Sequence, residues 1–465
     1  MAPRLKLRDI AFFERPVHFA RPFRFGAITI NATPQLFVRV EIEVEGRGSA
    51  IGASAELLVP KWFDKRPELS PEQTVDGLRR SLAIARGLYL ARTEFLTAFD
   101  LHASCIGAQV ATCAKKDIPS LAAAYGPAEI DKAVLDAVLR AVETNFFEGM
   151  TGNIAGIDAR LSPDLKATDI AQFLADRKPL PRVAIRHTVG LDDTVEGEGG
   201  VADARENAGA RYFKLKLSGD PAADAMRLAR IGKELDTLGH DYKVTLDANE
   251  QYADLADLRA LIDRLDRDAA LRPISSRLLY VEQPMPRDIT RQSPLGSLAA
   301  HGFIIDEADD SYDAFPSARA LGYCGISSKS CKGLYKSIVN ATRAAKWSAG
   351  GARFFVTGED LTCQAGLAVQ QDLALGAFIG ITHAERNGHH YVDGFGDTPA
   401  VEAQAFAAAH PDLYADAGHG IRLSIHNGDL LTGSLTATGF ATSVHPGWSA
   451  LAPLEQPKSL WEKSA

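Results

Sequence analysis

From about Pro181 onward, short apolar runs alternate with segments of helical hydrophobic spacing. The runs are Val183 to Thr188, Tyr212 to Leu217, Val244 to Asp247, Leu278 to Glu282, Phe303 to Asp306, Gly325 to Ser328, Phe354 to Thr357 and Ala377 to Thr382. Apolar runs of this length bounded by polar residues read as strands buried on both faces. Between them, Ala222 to Leu238 and Leu334 to Ser348 place apolar residues on one helical face. Eight strand–helix alternations predict a closed β/α barrel rather than an open doubly wound sheet. No GxGxxG follows a strand, so a dinucleotide-binding fold has no support.

Residues 1 to about 60 show the period-two alternation of half-buried strands. Leu36 to Val44 is one such strand, and Glu45-Gly46-Arg47-Gly48 is a turn into Ala50-Ile51-Gly52-Ala53. Residues 71 to 150 are helical in pattern, with Ser70 as the first cap and Pro71 at the first helical position. The stretch Gly420 to Leu430 alternates again around Asn427-Gly428 and predicts a hairpin that pairs with the N-terminal sheet. The expected organisation is an α+β domain over 1–150, a barrel over 151–400, and a C-terminal segment, 401–465, returning to the first domain.

Composition narrows the function classes. The chain has 465 residues, 46% hydrophobic and 24% charged, which is ordinary for a globular protein. The net charge is -8, with no basic stripe to suggest nucleic acid. No apolar stretch is long enough for a bilayer, and the N-terminus has no apolar h-region, so no membrane partner and a cytoplasmic location are expected. Five cysteines (Cys105, Cys113, Cys324, Cys331, Cys363) show no zinc-type spacing and read as reduced thiols.

Three of the barrel runs close on an acid: Asp247, Glu282 and Asp306, spaced 35 and 24 residues apart. One strand–helix unit takes roughly 25–35 residues, so each acid belongs to the next strand. The C-terminal strand ends are where barrel enzymes carry chemistry. Three carboxylates converging there suit a hard cation such as Mg2+ better than zinc. The competing reading is that each acid caps the helix after its strand. Lys214 and Lys216 alternate about Leu215 and so share one face of the second strand. A buried lysine beside another cation has a lowered pKa and becomes a base, with Lys214 supplying that charge to Lys216. Lys329 follows the sixth strand, roughly opposite the second; alone, it also reads as a solvated loop lysine. Lysines flanking a cation are the layout of an enzyme that removes a proton next to a carboxylate.

These residues resemble the enolase superfamily, most closely its muconate-lactonizing-enzyme-like subgroup. The resemblance rests on Lys214-Leu215-Lys216, Asp247-Ala248-Asn249, Glu282-Gln283-Pro284, Asp306-Glu307 and Lys329. It covers nearly the whole chain and implies a modified TIM (β/α) barrel with an N-terminal α+β capping domain completed by the C-terminal segment. It implies that Asp247, Glu282 and Asp306 bind Mg2+, with Lys216 and Lys329 as the acid/base pair. The implied reaction is abstraction of the α-proton of a small-molecule carboxylate through an enolate. Racemisation or epimerisation of an amino-acid-like carboxylate is the expected outcome; the alternatives are cycloisomerisation, dehydration, or a non-catalytic magnesium-binding scaffold. A homo-oligomer is expected. Lysine at 329 separates the chain from the mandelate-racemase pattern of an Asp on strand six and a His on strand seven.

Substrate contacts are expected from Asn249, Arg24 and Glu385. Arg21, Phe23, Arg24 and Phe25 are expected in a mobile loop between the first two strands, and Leu57 to Trp62 in a second loop. An arginine there would pair with a distal carboxylate, although domain-interface packing explains the same residues. Glu385 and Arg386 read equally as a surface ion pair, and His389-His390 as exposed and non-ligating. The insertion Arg267 to Arg277 lies before the fourth strand, away from the catalytic rim.

Overall fold

The computed structural model describes residues 2–26, 28–361, 364–418 and 420–454; Cys363 lies outside them. The N-terminal sheet is built on two long strands, β1 (Leu5–Phe25) and β2 (Ile28–Val44), followed by β3 (Gly48–Leu57), all antiparallel. Helices α1 (Pro71–Leu90), α2 (Ala98–Lys115) and α3 (Ser120–Ala141) cover it. Ser70 caps α1 as expected, in a reciprocal capping box with Gln73 and with Pro71 in the first turn. Gly52 lets α3 lie directly on β3: a Cβ there would sit 2.1 Å from the Ala133 carbonyl oxygen.

Eight parallel strands form the barrel: β4 (Arg182–Val189), β5 (Tyr212–Lys216), β6 (Lys243–Asp247), β7 (Leu278–Glu282), β8 (Phe303–Ile305), β9 (Gly325–Ser328), β10 (Phe355–Gly358) and β11 (His383–Glu385). β11 pairs with β4 and closes the ring. Residues Ala269 to Ser275 of the insertion form short helical turns that bury Leu271 and Ile274 against the barrel helices. Among the described residues, no helix is long and apolar enough to cross a membrane.

Two expectations change. Ala377 to Ile379 is not the eighth strand but the last turn of the helix Leu367–Ile379. Every residue of that helix is buried, so it carries no polar face and its sequence looks like a buried strand. Gly380 ends it at φ +89, and the strand begins three residues later. Gly380→Ala is expected to lower stability by about 1 kcal/mol, the cost of the left-handed conformation, since the nearest atom leaves room for a methyl group. Urea unfolding with an unchanged slope checks this; an unchanged midpoint would show that the position carries no strain.

The C-terminal alternation is also placed differently. β12 (Tyr414–Asp416) and β13 (Ile421–Leu423) pair with each other. Asn427 and Gly428, both at positive φ, then reverse the chain into β14 (Asp429–Leu431). β14 runs antiparallel to barrel strand β4 rather than joining the N-terminal sheet, because Leu430 is fully buried there. The strand that does join the N-terminal sheet is β15 (Ala452–Pro453), beside β1.

Candidate active site

Register brings the strand-end residues together. Lys216 is directly beside Asp247, and Asp247 beside Glu282, at the C-terminal ends of β5, β6 and β7. Asp306 follows β8 and Lys329 follows β9. All five are at most 5% exposed. Lys216 Nζ lies 2.6 Å from Asp247 Oδ2 and donates to Asn249 Oδ1 at 2.9 Å. Lys329 Nζ lies 2.5 Å from Asp306 Oδ2, and Lys332 Nζ lies 3.1 Å from the other oxygen. In the ring, three strands separate β5 from β9 in either direction, so Lys216 and Lys329 approach the centre from opposite sides.

Lys214 is the hub. Its ammonium lies 2.9 Å from Asp247, 2.6 Å from Glu359 and 2.9 Å from Glu385. It is 3.0 and 2.9 Å from the two Glu282 oxygens, donating a hydrogen bond only to the first. Glu359 also pairs with Arg186, a fully buried guanidinium from β4. Sequence reasoning missed Arg186, Glu359 and Lys332. Glu359 had a signal, because it directly follows the seventh strand as Asp306 follows the fifth. Arg186 sits within an apolar strand run and Lys332 three residues after Lys329, where nothing local distinguishes them.

The electrostatics follow from this pairing. Burial alone would disfavour the Lys214 ammonium, but Asp247, Glu282, Glu359 and Glu385 outweigh it and raise its pKa well above the usual lysine range. Lys329 is likewise raised, burial being outweighed by Asp306. Each has a carboxylate at hydrogen-bond distance. Burial pushes Asp247 and Asp306 up, yet Lys214 and Lys216 hold the first below its normal value and Lys329 and Lys332 hold the second well below it. Glu282 goes the other way: burial, then Asp247 and Glu359, push it well above the usual carboxylate range. It is the acid that the network compensates least.

Backbone geometry supports the cluster. Asn249 and Gln283 both adopt positive φ just beyond a strand-end acid. The Gln283 side-chain oxygen accepts from the Asp306 and Ala308 amides at 2.9 and 3.0 Å, which aims Asp306. Phe23, Phe25, Val59, Trp62 and Leu361 cover the lysines, leaving a cavity of only about 10 Å³, room for about one water. Lys329 Nζ sits 4.9 Å from the Trp62 ring centroid.

Arg21 to Phe25 are not a loop but the end of β1, paired with β2 at Phe23–Ile30, Arg24–Thr29 and Phe25–Ile28. The strand alternation puts Phe23 and Phe25 over the site and Arg24 on the other face, where it pairs with Asp192 at 2.9 Å in an exposed position. Arg24 is thus not brought to the cluster. Glu385 is brought to it, held by Lys214 and by the Thr188 hydroxyl at 2.7 Å. Lys214, then Lys216, overcome its burial and keep it well below the usual range. It is not a surface ion pair with Arg386, which is buried and lies 3.0 Å from Asp372. His389 and His390 are not exposed either, but largely enclosed beside His187. Burial raises the Cys324 and Cys331 thiols, so neither is an activated nucleophile.

No family model and no curated protein matches the sequence. The fold is similar to solved structures of low sequence identity. One is muconate lactonizing enzyme from Mucobacterium Smegmatis complexed with muconolactone, at 17% identity and TM-score 0.63, covering 97% of this chain and 100% of that one. Another is an enolase from Bradyrhizobium complexed with magnesium and mandelic acid, at 16% identity and TM-score 0.59, covering 97% and 98%. A third is a member of the enolase superfamily from Roseovarius nubinhibens ISM complexed with magnesium, at 17% identity and TM-score 0.59, covering 97% and 99%. The shared architecture is the closed eight-stranded parallel barrel with an N-terminal antiparallel sheet as its cap.

Proposed function

We propose that the protein is a magnesium-dependent enzyme of the enolase superfamily that removes the α-proton of a small carboxylate, with racemisation or epimerisation of an amino-acid-like substrate as its reaction. The observation that carries this reading is the placement of Lys216 and Lys329, on opposite sides of the barrel, along one small cavity that Asp247 and Asp306 also line, with Glu282 on the strand between those two acids. The magnesium-bound and ligand-bound structures of similar fold support it.

The donor set fits Mg2+. Asp247, Glu282 and Asp306 offer only oxygen, and Glu282 Oε2 is buried with no hydrogen-bond donor. Bound there, Mg2+ supplies positive charge to the substrate carboxylate and takes over the charge of acids that otherwise hold Lys214 and Lys329 as ammonium ions. The proton steps belong to the lysines. One lysine, neutral, takes the α-proton: the C–H bond breaks, an N–H bond forms at Nζ, and the electron pair passes into the carboxylate as an enolate. The opposite lysine, protonated, returns a proton to the other face. Asn249 orients Lys216, and Phe23, Phe25 and Trp62 exclude water. Because the cavity holds about one water, the hairpin tip or the Trp62 loop has to move to admit a substrate. Cycloisomerisation or dehydration with the same two lysines is the second reading; the similar fold of a muconate lactonizing enzyme complexed with muconolactone supports the first of these.

The test is deuterium incorporation at the α-carbon, read by mass spectrometry, in D2O with Mg2+. The candidates are pools of amino acids, N-acyl amino acids, dipeptides and hydroxy acids. Exchange with the substrate otherwise recovered unchanged supports racemisation; a ring-closed isomer, separated by chromatography because its mass is the same, or loss of water supports the second reading. An absence of Mg2+ binding would refute the assignment of Asp247, Glu282 and Asp306.

A further inference from the structure

Three histidines outside the lysine and carboxylate cluster converge where the first barrel strand meets the loop after the eighth. His187 comes from β4, and His389 and His390 come from the turn beyond β11. One ring nitrogen from each lies within 4.8 Å of the other two. The ring centroids are 4.4 Å apart for His187 and His390, 5.5 Å for His187 and His389, and 5.3 Å for His389 and His390. The Nδ1 atoms of His187 and His390 are buried with no hydrogen-bond partner among the described residues, and His187 as a whole is 4% exposed. Buried imidazoles ordinarily satisfy both ring nitrogens.

The rings do not hydrogen-bond one another, and their nitrogens are spaced on the scale of one shared ion. Three nitrogens on a tetrahedral ion at about 2.0–2.1 Å are about 3.4 Å apart, which small rotations of the three rings would reach. The nearest charges are mixed, with the Arg21 guanidinium balanced by acids. Asp193 Oδ2 lies 3.9 Å from His390 Nε2, and Glu206 is adjacent, on Arg21. A cavity of about 260 Å³ opens beside His187 and His390, which gives an ion a path in and a vacant coordination position. Imidazole nitrogens favour zinc and its transition-metal neighbours over Mg2+, which takes oxygen.

We infer that His187, His389 and His390 form a zinc site, three imidazoles on one Zn2+ with a fourth position facing this cavity. Burial holds all three rings neutral, as ligation requires. The ion would tie β4 to the loop after β11. It would also sit under the hairpin that closes the active site: the Arg21 amide donates to the Tyr391 carbonyl at 3.2 Å, and the Phe23 and Tyr391 rings are 4.3 Å apart. The site is independent of the proton-transfer reading, because it uses none of the same side chains.

The test uses the full chain, stripped with chelator and then titrated with Co2+ in excess Mg2+. Co2+ among imidazoles in a tetrahedral field gives an intense visible absorption, whereas an octahedral oxygen site gives a faint one. The expected result is one equivalent of the intense species, displaced by one equivalent of Zn2+ and not by Mg2+. His390→Gln and His389→Gln should each weaken zinc binding by at least about 100-fold, since even the loss of an outer-shell partner costs 10–100-fold. Circular dichroism of the metal-free variants checks that they fold. Wild-type protein with no intense cobalt spectrum, or glutamine variants that bind zinc as tightly as wild type, would overturn the site; the first readout needs no variant.

Discussion

On the proposed reaction, Lys329→Met is expected to cut exchange of the α-proton for one enantiomer of the substrate sharply and to leave exchange of the other in place. The argument rests on the barrel. Lys216 and Lys329 are separated by three strands in either direction, so each can reach only one face of a carbon held between them. Loss of a positioned acid or base costs about 10²–10⁴-fold, so exchange on the Lys329 face falls by that factor. Methionine keeps most of the apolar stem, one atom shorter, and gives up the ammonium that sits 4.9 Å from the Trp62 ring centroid. Asp306 keeps a cation, because Lys332 lies 3.1 Å from its Oδ1. The variant is therefore expected to fold and to bind Mg2+. NMR of each enantiomer in D2O separates the outcomes. Equal loss for both enantiomers would mean that the lysines do not divide the faces, and unchanged exchange would remove Lys329 from the chemistry. If wild type itself exchanges from one face only, the cycloisomerase reading gains.

The parts of this site that a sequence reveals are those whose signal is local. Asp247 and Glu282 stand out because a charge at the end of an apolar run has no packing reason to be there. Lys214 and Lys216 stand out because an i, i+2 pair commits both to one face of a strand. What hides is what depends on partners far along the chain. Arg186 and Glu359 form a buried pair across 173 residues, and His187 meets His390 across 203. Arg24 illustrates the sensitivity of a period of two: in an extended segment, one residue separates the face that closes the site, with Phe23 and Phe25, from the face that meets solvent. Ala377 to Ile379, the end of the helix Leu367–Ile379, reads as a strand because complete burial erases the polar face that distinguishes the two. The barrel itself was legible because seven of its eight strands are short apolar runs, and helices between them such as Pro221–Leu235 keep a polar face.

Lys214→Met should destabilise the fold by about 3–5 kcal/mol at pH 8, the range for removing one partner of a buried ion pair. The lysine is 1% exposed and lies within 3.0 Å of four carboxylates, so no solvent takes its place. Asp247 retains Lys216 and Glu359 retains Arg186, but among the described residues Glu282 has no second cation at hydrogen-bond distance. The pH dependence follows from the direction of the shifts. In wild type, Asp247 and Glu385 are depressed, so their contribution is present above the unfolded carboxylate range and fades as pH falls through the folded values. Without Lys214 the folded values rise, Glu282 furthest, since it is already raised by burial and by Asp247 and Glu359. A carboxyl raised in the folded state stabilises it below the unfolded pKa and loses that contribution as pH rises through the folded one. The deficit of the variant should therefore be largest in alkaline solution and shrink steadily toward pH 5. Urea unfolding of both proteins across that range measures it. A deficit that stays constant with pH would assign the loss to packing, and a variant as stable as wild type at pH 8 would mean that the four carboxylates are held by something other than this ammonium.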